Sequence, residues 1–432
     1  MVHRANTVLH VLIGSMLLLL GSVPMARGEE ATLFLEDAIG LALRNSPELA
    51  VERRQIDVAK GAFTKARVYP LNPELEVKPA VGSAKPRNLD KRIGTNAFEV
   101  AVSQTLQTKG QWGLRIEKAT VELDRTGWTV RDAERRIRAD VIRAWGDVLI
   151  AQERVKFFGE IVALNQELFN IAKQLFEAGA VPRLDALRAE VELRRALNDR
   201  TAEERNVAAA RKELNLLIGR PSDFVPHAVG PLLHTLPETD IPTLKRTALD
   251  SRPDLKAVRA GLQVAERELT IARAEAFLPE VAVSVGYSND LAIYGRDQRV
   301  LFGIAIPLPL FNRRQGEIES ALAERSRQEA AIALVAARID KEVAQAYERF
   351  AASQRIVEEF VKRIVPQQEE NFRLLREGYE AGQLRLTDVL LGQREFVEGR
   401  LRYLDAASQY NAFAVELERA IGTPLLEMGR MP

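Results

Sequence analysis

Cysteine is absent from all 432 residues of the chain. That excludes disulfides, thiolate metal sites and a lipid-modified N-terminal cysteine. Histidine is scarce: there are four, and His3 and His10 fall in the leader segment described below. The other two, His227 and His234, sit in one Pro-rich joint with no ligand cluster around them. They read as ordinary loop histidines, and neither a metal site nor a cofactor is expected. Aromatics make up only 6% of the chain, and the formal net charge is +1. There is no basic field with which to hold nucleic acid. Nothing resembles a catalytic triad, a phosphate-cradling Gly loop or a metalloenzyme motif, so the chain is not read as an enzyme. After Leu20 no apolar run reaches transmembrane-helix length. A mature chain that crosses a membrane must then do so by strands in a closed barrel.

What is present begins with a leader. Arg4 precedes an apolar run from Val8 to Leu20, followed by Gly21-Ser22-Val23-Pro24 and Ala26-Arg27-Gly28. Residues 1–28 have the layout of a secretory signal peptide, cut after Gly28 or after Ala26. The run is short for an uncleaved membrane anchor. Cleavage removes Arg4 and Arg27 and no acid, so the mature chain stays near neutral.

The mature chain repeats itself. Ala42-Leu43-Arg44-Asn45-Ser46-Pro47-Glu48-Leu49 matches Ala248-Leu249-Asp250-Ser251-Arg252-Pro253-Asp254-Leu255. Further on, Glu177-Ala178-Gly179 matches Glu380-Ala381-Gly382, Asp185 matches Asp388, and Ile218-Gly219 matches Ile421-Gly422. Matching Pro and Gly positions punctuate structure rather than fill helices, so chance among Ala/Leu-rich helices is a poor explanation. The chain divides into a first repeat, 29–225, a joint, 226–239, and a second repeat, 240–432.

Each repeat has one plan. A helix is expected over about Leu35–Val68, broken at Asn45-Ser46-Pro47, and over about Leu244–Phe277. Strands with period-two alternation come next: Leu75, Val77 and Val81, then Phe98, Val100 and Val102. Their counterparts are Val281, Val283, Val285 and Tyr287, then Phe302, Ile304 and Ile306. Polar loops, Gly82–Thr95 and Ser288–Arg299, separate the paired strands. Helix fills the rest, interrupted by one Gly turn. No proline occurs from Gly110 to Glu177, so a continuous helix there runs on the order of 100 Å. Such a helix needs neighbours of similar length. The fold class is mainly α with a small β part, a tandem repeat of helix–strand–strand–long helix–helix. Four strands per chain cannot close a conducting barrel, whereas three chains supply twelve.

This order resembles the TolC family of outer-membrane efflux proteins over essentially the whole mature chain. Leu35-Glu36-Asp37-Ala38-Ile39 through Asn45-Ser46-Pro47-Glu48-Leu49 is similar to the family's opening helix. Leu71-Asn72-Pro73-Glu74-Leu75 and Leu106-Gln107-Thr108-Lys109-Gly110-Gln111 are most similar to its CzcC-like branch, which works with heavy-metal efflux pumps. The resemblance implies a homotrimer with a twelve-stranded outer-membrane β-barrel on a periplasmic α-helical barrel. It implies a passive conduit for heavy-metal cations or other toxic solutes in a tripartite efflux system. The implied partners are a periplasmic adaptor (membrane fusion) protein, an inner-membrane pump of the resistance-nodulation-division (RND) type and outer-membrane lipid. The same duct serving drug efflux or type I protein secretion is one alternative; a soluble periplasmic scaffold without a pore is another.

The two Gly turns are the candidate site. Phe176, Gly179 and Asp185 mark the first; Tyr379, Gly382, Arg385, Thr387 and Asp388 mark the second. Gly can adopt the left-handed conformation that ends one helix, and the Asp after it can cap the next. In the resembling family these turns form the periplasmic tips, where the adaptor docks and the aperture narrows. Three copies of Asp388 around a threefold axis would form an acidic ring. Drug-efflux members often carry an acid one turn later and place an Arg nearer the Gly; Leu391 and Leu384 stand there instead, so the ring is thinner. Closing contacts are expected among Tyr379, Arg385 and Asp185. Pro70, Pro73, Pro279, Pro307 and Pro309 are read as strand–helix junctions, where proline stops sheet pairing.

Overall fold

A computed structural model describes residues 31–84, 93–233, 240–276, 280–292 and 295–424. The signal peptide, the centre of the first strand–strand loop, His234 and Pro279 lie outside the described residues.

The first repeat runs β1 (Ala31–Leu33), α1 (Leu35–Asn45), α2 (Pro47–Arg67), β2 (Glu74–Ala84), β3 (Ile93–Gln107), α3 (Gln111–Glu177) and α4 (Arg183–Ile218). A short β4 (Pro226–Ala228) leads to the second: α5 (Ile241–Ser251), α6 (Pro253–Glu275), β5 (Glu280–Ala292) and β6 (Gly295–Ala305). It closes with α7 (Gln315–Glu359), a π-turn (Phe360–Ile364), α8 (Val365–Glu380) and α9 (Leu386–Ile421). The tandem plan is therefore present element by element.

Proline sets the helix breaks. Pro47 and Pro253 open α2 and α6, and the residue before each is extended, with ψ of 124° at Ser46 and 125° at Arg252. Steric conflict with the proline ring forbids the helical region there. The sequence reading placed a break only in the first copy; the second breaks at the same point for the same reason. Long helices begin and end alike in both copies. α3 starts from Gly110 at φ 69°, and α7 from Arg314 at φ 55°; α4 and α9 stop at Gly219 and Gly422, both left-handed.

α3 is one continuous helix of 67 residues, on the order of 100 Å long. It packs along α4, α2, α6 and α9, which supplies the long neighbours such a helix requires. Two cores sit at mid-height. One gathers Ile137, Val141 and Trp145 of α3 with Leu49, Leu214 and Ile218. The other gathers Ile339 and Val343 of α7 with Leu255, Leu417 and Ile421.

Two features differ from the sequence reading. β1 and β4 form a parallel two-stranded sheet, pairing Thr32 with His227, so His227 lies in a strand rather than a loop. Trp145 Nε1 donates to Leu33 O at 3.1 Å, and Gln152 exchanges two hydrogen bonds with Ala228, which ties this small sheet to α3. The strands of the two hairpins also extend into the expected loops, to Ala84 and from Ile93 in the first hairpin, and to Ala292 and from Gly295 in the second. Small and polar residues such as Gly82, Ser83 and Asn289 continue the ladder because one sheet face is not apolar.

Candidate conduit and gate

Strands β2-β3-β5-β6 form one antiparallel sheet in that order, with β2 and β6 as its edges. The register sorts side chains onto two faces. Leu75 pairs with Val102, Val102 with Val285, and Val285 with Phe302. One row away on the same face, Val77, Val100, Tyr287 and Val300 align. Many of these are well exposed, Phe302 at 83%. From Leu106 to Phe98 the apolar face covers about 25 Å at ~3.3 Å per residue, the height of a lipid-facing band.

The opposite face is small and polar. Lys78 aligns with Glu99, Ser288 and Arg299, and the next row holds Glu76, Ala101, Gly286 and Leu301. Lys78 pairs with Glu76 at 2.8 Å, and Arg299 pairs with Asp297. An apolar exterior and a charged interior are what a strand needs to separate lipid from water. Among the described residues no helix is long and apolar enough to cross a membrane.

At the far end of the long helices the two Gly turns are near copies. Gly179 has φ 73° and Gly382 has φ 72°. Ala180 N–H donates to Leu175 O at 2.8 Å, and Gln383 N–H to Gly378 O at 2.9 Å. Gly179 and Gly382 N–H donate to Phe176 O and Tyr379 O, both at 2.9 Å. Each turn thus satisfies the last carbonyls of one helix through a left-handed residue.

Asp388 caps from inside the first turn rather than from the N-cap position, whereas Asp185 does not cap α4, because Pro182 has no N–H to give. α4 is entered through Pro182 and α9 through Arg385. Asp388 Oδ2 accepts the Arg385 N–H at 3.3 Å, which neutralises one orphan donor of the helix start. Asp185 lies 3.9 Å from Arg188, and among the described residues Arg385 has no ion-pair partner. A contact of Arg385 with Asp185 is therefore not made within one chain.

Tyr379 is buried among Leu168, Phe372, Leu386 and Val389. Its hydroxyl has no hydrogen-bond partner among the described residues. Burial, with the Asp185 carboxylate nearby, pushes the phenol above its ordinary range. Phe176, Thr387, Arg385 and Asp388 are exposed. Thr387 lines a groove of about 580 Å³ between α4 and α9, walled by Leu184, Leu187, Val191 and Leu391 and bridged by Arg394 to Glu192 at 3.0 Å. Sequence reasoning missed this groove; the exposed leucines of α4 were its only signal. The junction prolines are split. Pro70 and Pro73 lie between α2 and β2, and Pro307 and Pro309 lie between β6 and α7. Among the described residues no group of three or more His, Asp or Glu is arranged to hold a metal ion.

Comparison with known proteins places this architecture. A family model described as "Outer membrane efflux protein" matches residues 38–220 and 244–423. The cobalt-zinc-cadmium resistance protein CzcC of Cupriavidus metallidurans is 28% identical over 401 residues, 93% of each chain. Protein CyaE of Bordetella pertussis is 26% identical over 92% of this chain and 85% of its own. Among solved structures, CusC superposes with a TM-score of 0.72 at 16% identity, over 90% of this chain and 92% of that one. The outer-membrane channel OprN gives 0.72 at 17%, over 91% and 90%. With the family model covering both repeats and the strands sorted into a lipid face and an aqueous face, the chain belongs to the outer membrane efflux protein family and is an outer-membrane channel component of an efflux system.

Proposed function

We propose that three copies of this chain close a twelve-stranded barrel and a helical tunnel, and that the duct exports heavy-metal cations. The observation that carries the cargo is the likeness to CzcC along nearly the full length of both chains. A nickel-cobalt-cadmium resistance protein, NccC of Alcaligenes xylosoxydans xylosoxydans, is also related, at 24% identity over 72% of this chain. Residues 29–225 and 240–432 act as the two halves of each subunit, joined by 226–239 after removal of 1–28. The chain does no chemistry in this reading; the pore is a passive path.

The tips carry docking and gating. The turns at Gly179 and Gly382 meet a periplasmic adaptor that links the duct to an RND pump in the inner membrane. Phe176 and Thr387 present an exposed docking rim. Asp388, exposed on every subunit, rings the aperture with negative charge, and Arg385 contacts a neighbouring subunit when the aperture closes. Neither side chain is held by an ion pair among the described residues, which leaves both available to a partner.

Deleting the gene and testing a panel of divalent metals and organic toxicants checks the cargo. Lost tolerance to cobalt, zinc or cadmium is expected. Unchanged metal tolerance with lost drug tolerance, or failure to secrete a polypeptide, assigns another cargo to the duct. For the gate, Asp388→Ala and Arg385→Ala trimers in planar bilayers should differ from wild type in conductance and cation preference. Wild-type behaviour in both variants places the gate elsewhere. A water-soluble monomer without detergent would overturn the duct altogether.

A further inference from the structure

The sheet has two open edges, β2 and β6, and any ring of identical copies must lay β6 of one copy beside β2 of the next. β6 runs toward the helices and β2 runs away from them. The exit from β6 and the approach to β2 are therefore neighbours across the subunit boundary. The side chains at those two places are complementary.

The exit from β6 is an exposed apolar strap. Leu308 is 71% exposed, Leu310 65% and Phe311 91%, the last the most exposed large apolar side chain among the described residues. The equivalent stretch of the first repeat, Gln107-Thr108-Lys109, is polar. That stretch has same-chain strand cover, for Gln107 pairs with Glu280 of β5 while β6 is an open edge; just beyond the two junctions Arg115 and Arg314 bond the same Glu275 of α6, at 2.7 and 2.8 Å. The apolar version thus stands at the one junction of the two whose onward neighbour is missing from the single chain. Large exposed apolar groups of this kind mark surfaces that are covered in the assembled state.

The approach to β2 holds a cleft to receive it. Between the end of α2 and the start of α3 lies a cavity of about 720 Å³ whose lining includes Ala62, Ala66, Tyr69, Pro70, Trp112 and Ala119. Trp112 is fixed as a wall, its Nε1 donating to Ala66 O at 3.0 Å and its ring set edge-on to Tyr69 at 5.7 Å. Among the described residues the long helix along which α2 packs is α3, whereas its repeat counterpart α6 packs along both α3 and α7. The missing neighbour of α2 is α7 of a second copy.

We infer that Phe311 of each subunit inserts into the α2–α3 cleft of the next, a ring of apolar plugs just below the barrel. This rests on the trimeric duct proposed for the chain. It adds which side chains lock the ring, at a level where hydrogen bonds between strand edges end and helix packing has yet to begin.

The absence of native cysteine makes the test direct. Full-length chain carrying Phe311→Cys with Ala62→Cys, or Phe311→Cys with Ala66→Cys, is expressed in the outer membrane and treated with a short bis-methanethiosulfonate linker. Either pair should give covalent dimers and trimers on denaturing gels, with each single-cysteine variant giving none. Native mass spectrometry of the untreated variants reports oligomeric state separately. Trimers that do not cross-link with either pair, and in which the thiol introduced by Phe311→Cys reacts with a lipid-phase maleimide, make Phe311 a lipid anchor and overturn the plug. Absence of trimers in the wild type and in the variants overturns the trimeric reading itself. As a cysteine-free check, Phe311→Ala trimers should dissociate at a lower temperature than wild type while Phe311→Leu trimers stay close to it; equal dissociation of all three overturns the plug as well.

Discussion

A single buried arginine fastens the second repeat. Arg252 is only 3% exposed, and its guanidinium donates to Asp254 at 2.6 and 3.0 Å, to Glu342 at 2.6 Å and to Ala420 O at 3.1 Å. It joins the start of α6 to α7 and to the last turn of α9. Burial works against the Asp254 carboxylate, but the hydrogen bonds and charge of Arg252 overcome it and hold the group below its usual range. A carboxyl lower in the folded than in the unfolded chain stabilises above its unfolded value, near 4, and loses that contribution as pH falls through the folded value. Asp254→Asn should lower stability at pH 7 by about 1–3 kcal/mol, because the guanidinium keeps Glu342 but loses its bidentate carboxylate partner. The variant should also show a flatter acid dependence below about pH 4. Thermal unfolding in detergent from pH 7 to pH 3 reads both. At the tip, Gly382→Ala places a Cβ at φ 72° and should cost about 1 kcal/mol. Faster amide exchange confined to residues 378–388 is the expected signature.

The two repeats also diverge in the middle of the long helix. Phe158 to Ile161 lie within unbroken α3, whereas the matching stretch, one residue longer, is Phe360–Ile364, a π-turn in which Val365 N–H reaches Phe360 O. A π-turn absorbs one extra residue without rotating the helix beyond it, and the wider ring leaves room for Pro366, which has no N–H to give. Removing Val361 together with Pro366→Ala should therefore leave Phe372 and Tyr379 facing their core. Removing Gly159 from α3 should turn everything beyond it by about 100° and abolish folding. Outer-membrane levels of the trimer distinguish the two deletions. Pro366 was visible in the sequence, yet a proline signals a break and not its kind. Pro253 carried the same signal as Pro47 and was equally legible from the residue before it. The strands were legible where one face is apolar, at Val283, Val285 and Tyr287. Their ends were not, because Gly82, Ser83 and Asn289 read as turn residues in any window. β1 and β4 were beyond reach, since three-residue strands paired across the whole first repeat leave no periodic trace. At the tips, the Gly and Asp positions could be read from the repeat, but the burial of Tyr379 could not. Its environment is built by α3 and α9 together.

Across the whole molecule the division into a lipid face and an aqueous face decides what substitutions the barrel tolerates. Val285 lies mid-band, between Val102 on one neighbour and Phe302 on the other. Ser103 and Ser284 lie one row toward the helices and point the other way, level with Gly303. An arginine at Val285 must place its charge in hydrocarbon, which costs about 2–4 kcal/mol near the midplane of an outer-membrane barrel. An arginine at Ser103 enters a lumen already holding Lys78, Glu99 and Arg299, where water and acids solvate it. If three copies close one barrel, the penalty at Val285 is incurred three times in a single cooperative unit. Val285→Arg should then shift the urea midpoint of folding into lipid vesicles by far more than one side chain could, and the shift should deepen as protein concentration falls, because dissociation of the ring competes with insertion. Ser103→Arg should leave the midpoint near that of wild type and alter only ion preference. Equal sensitivity at the two positions would mean that the strand faces do not separate lipid from water, and a Val285→Arg shift independent of concentration would mean that the unit inserting into the membrane is a single chain.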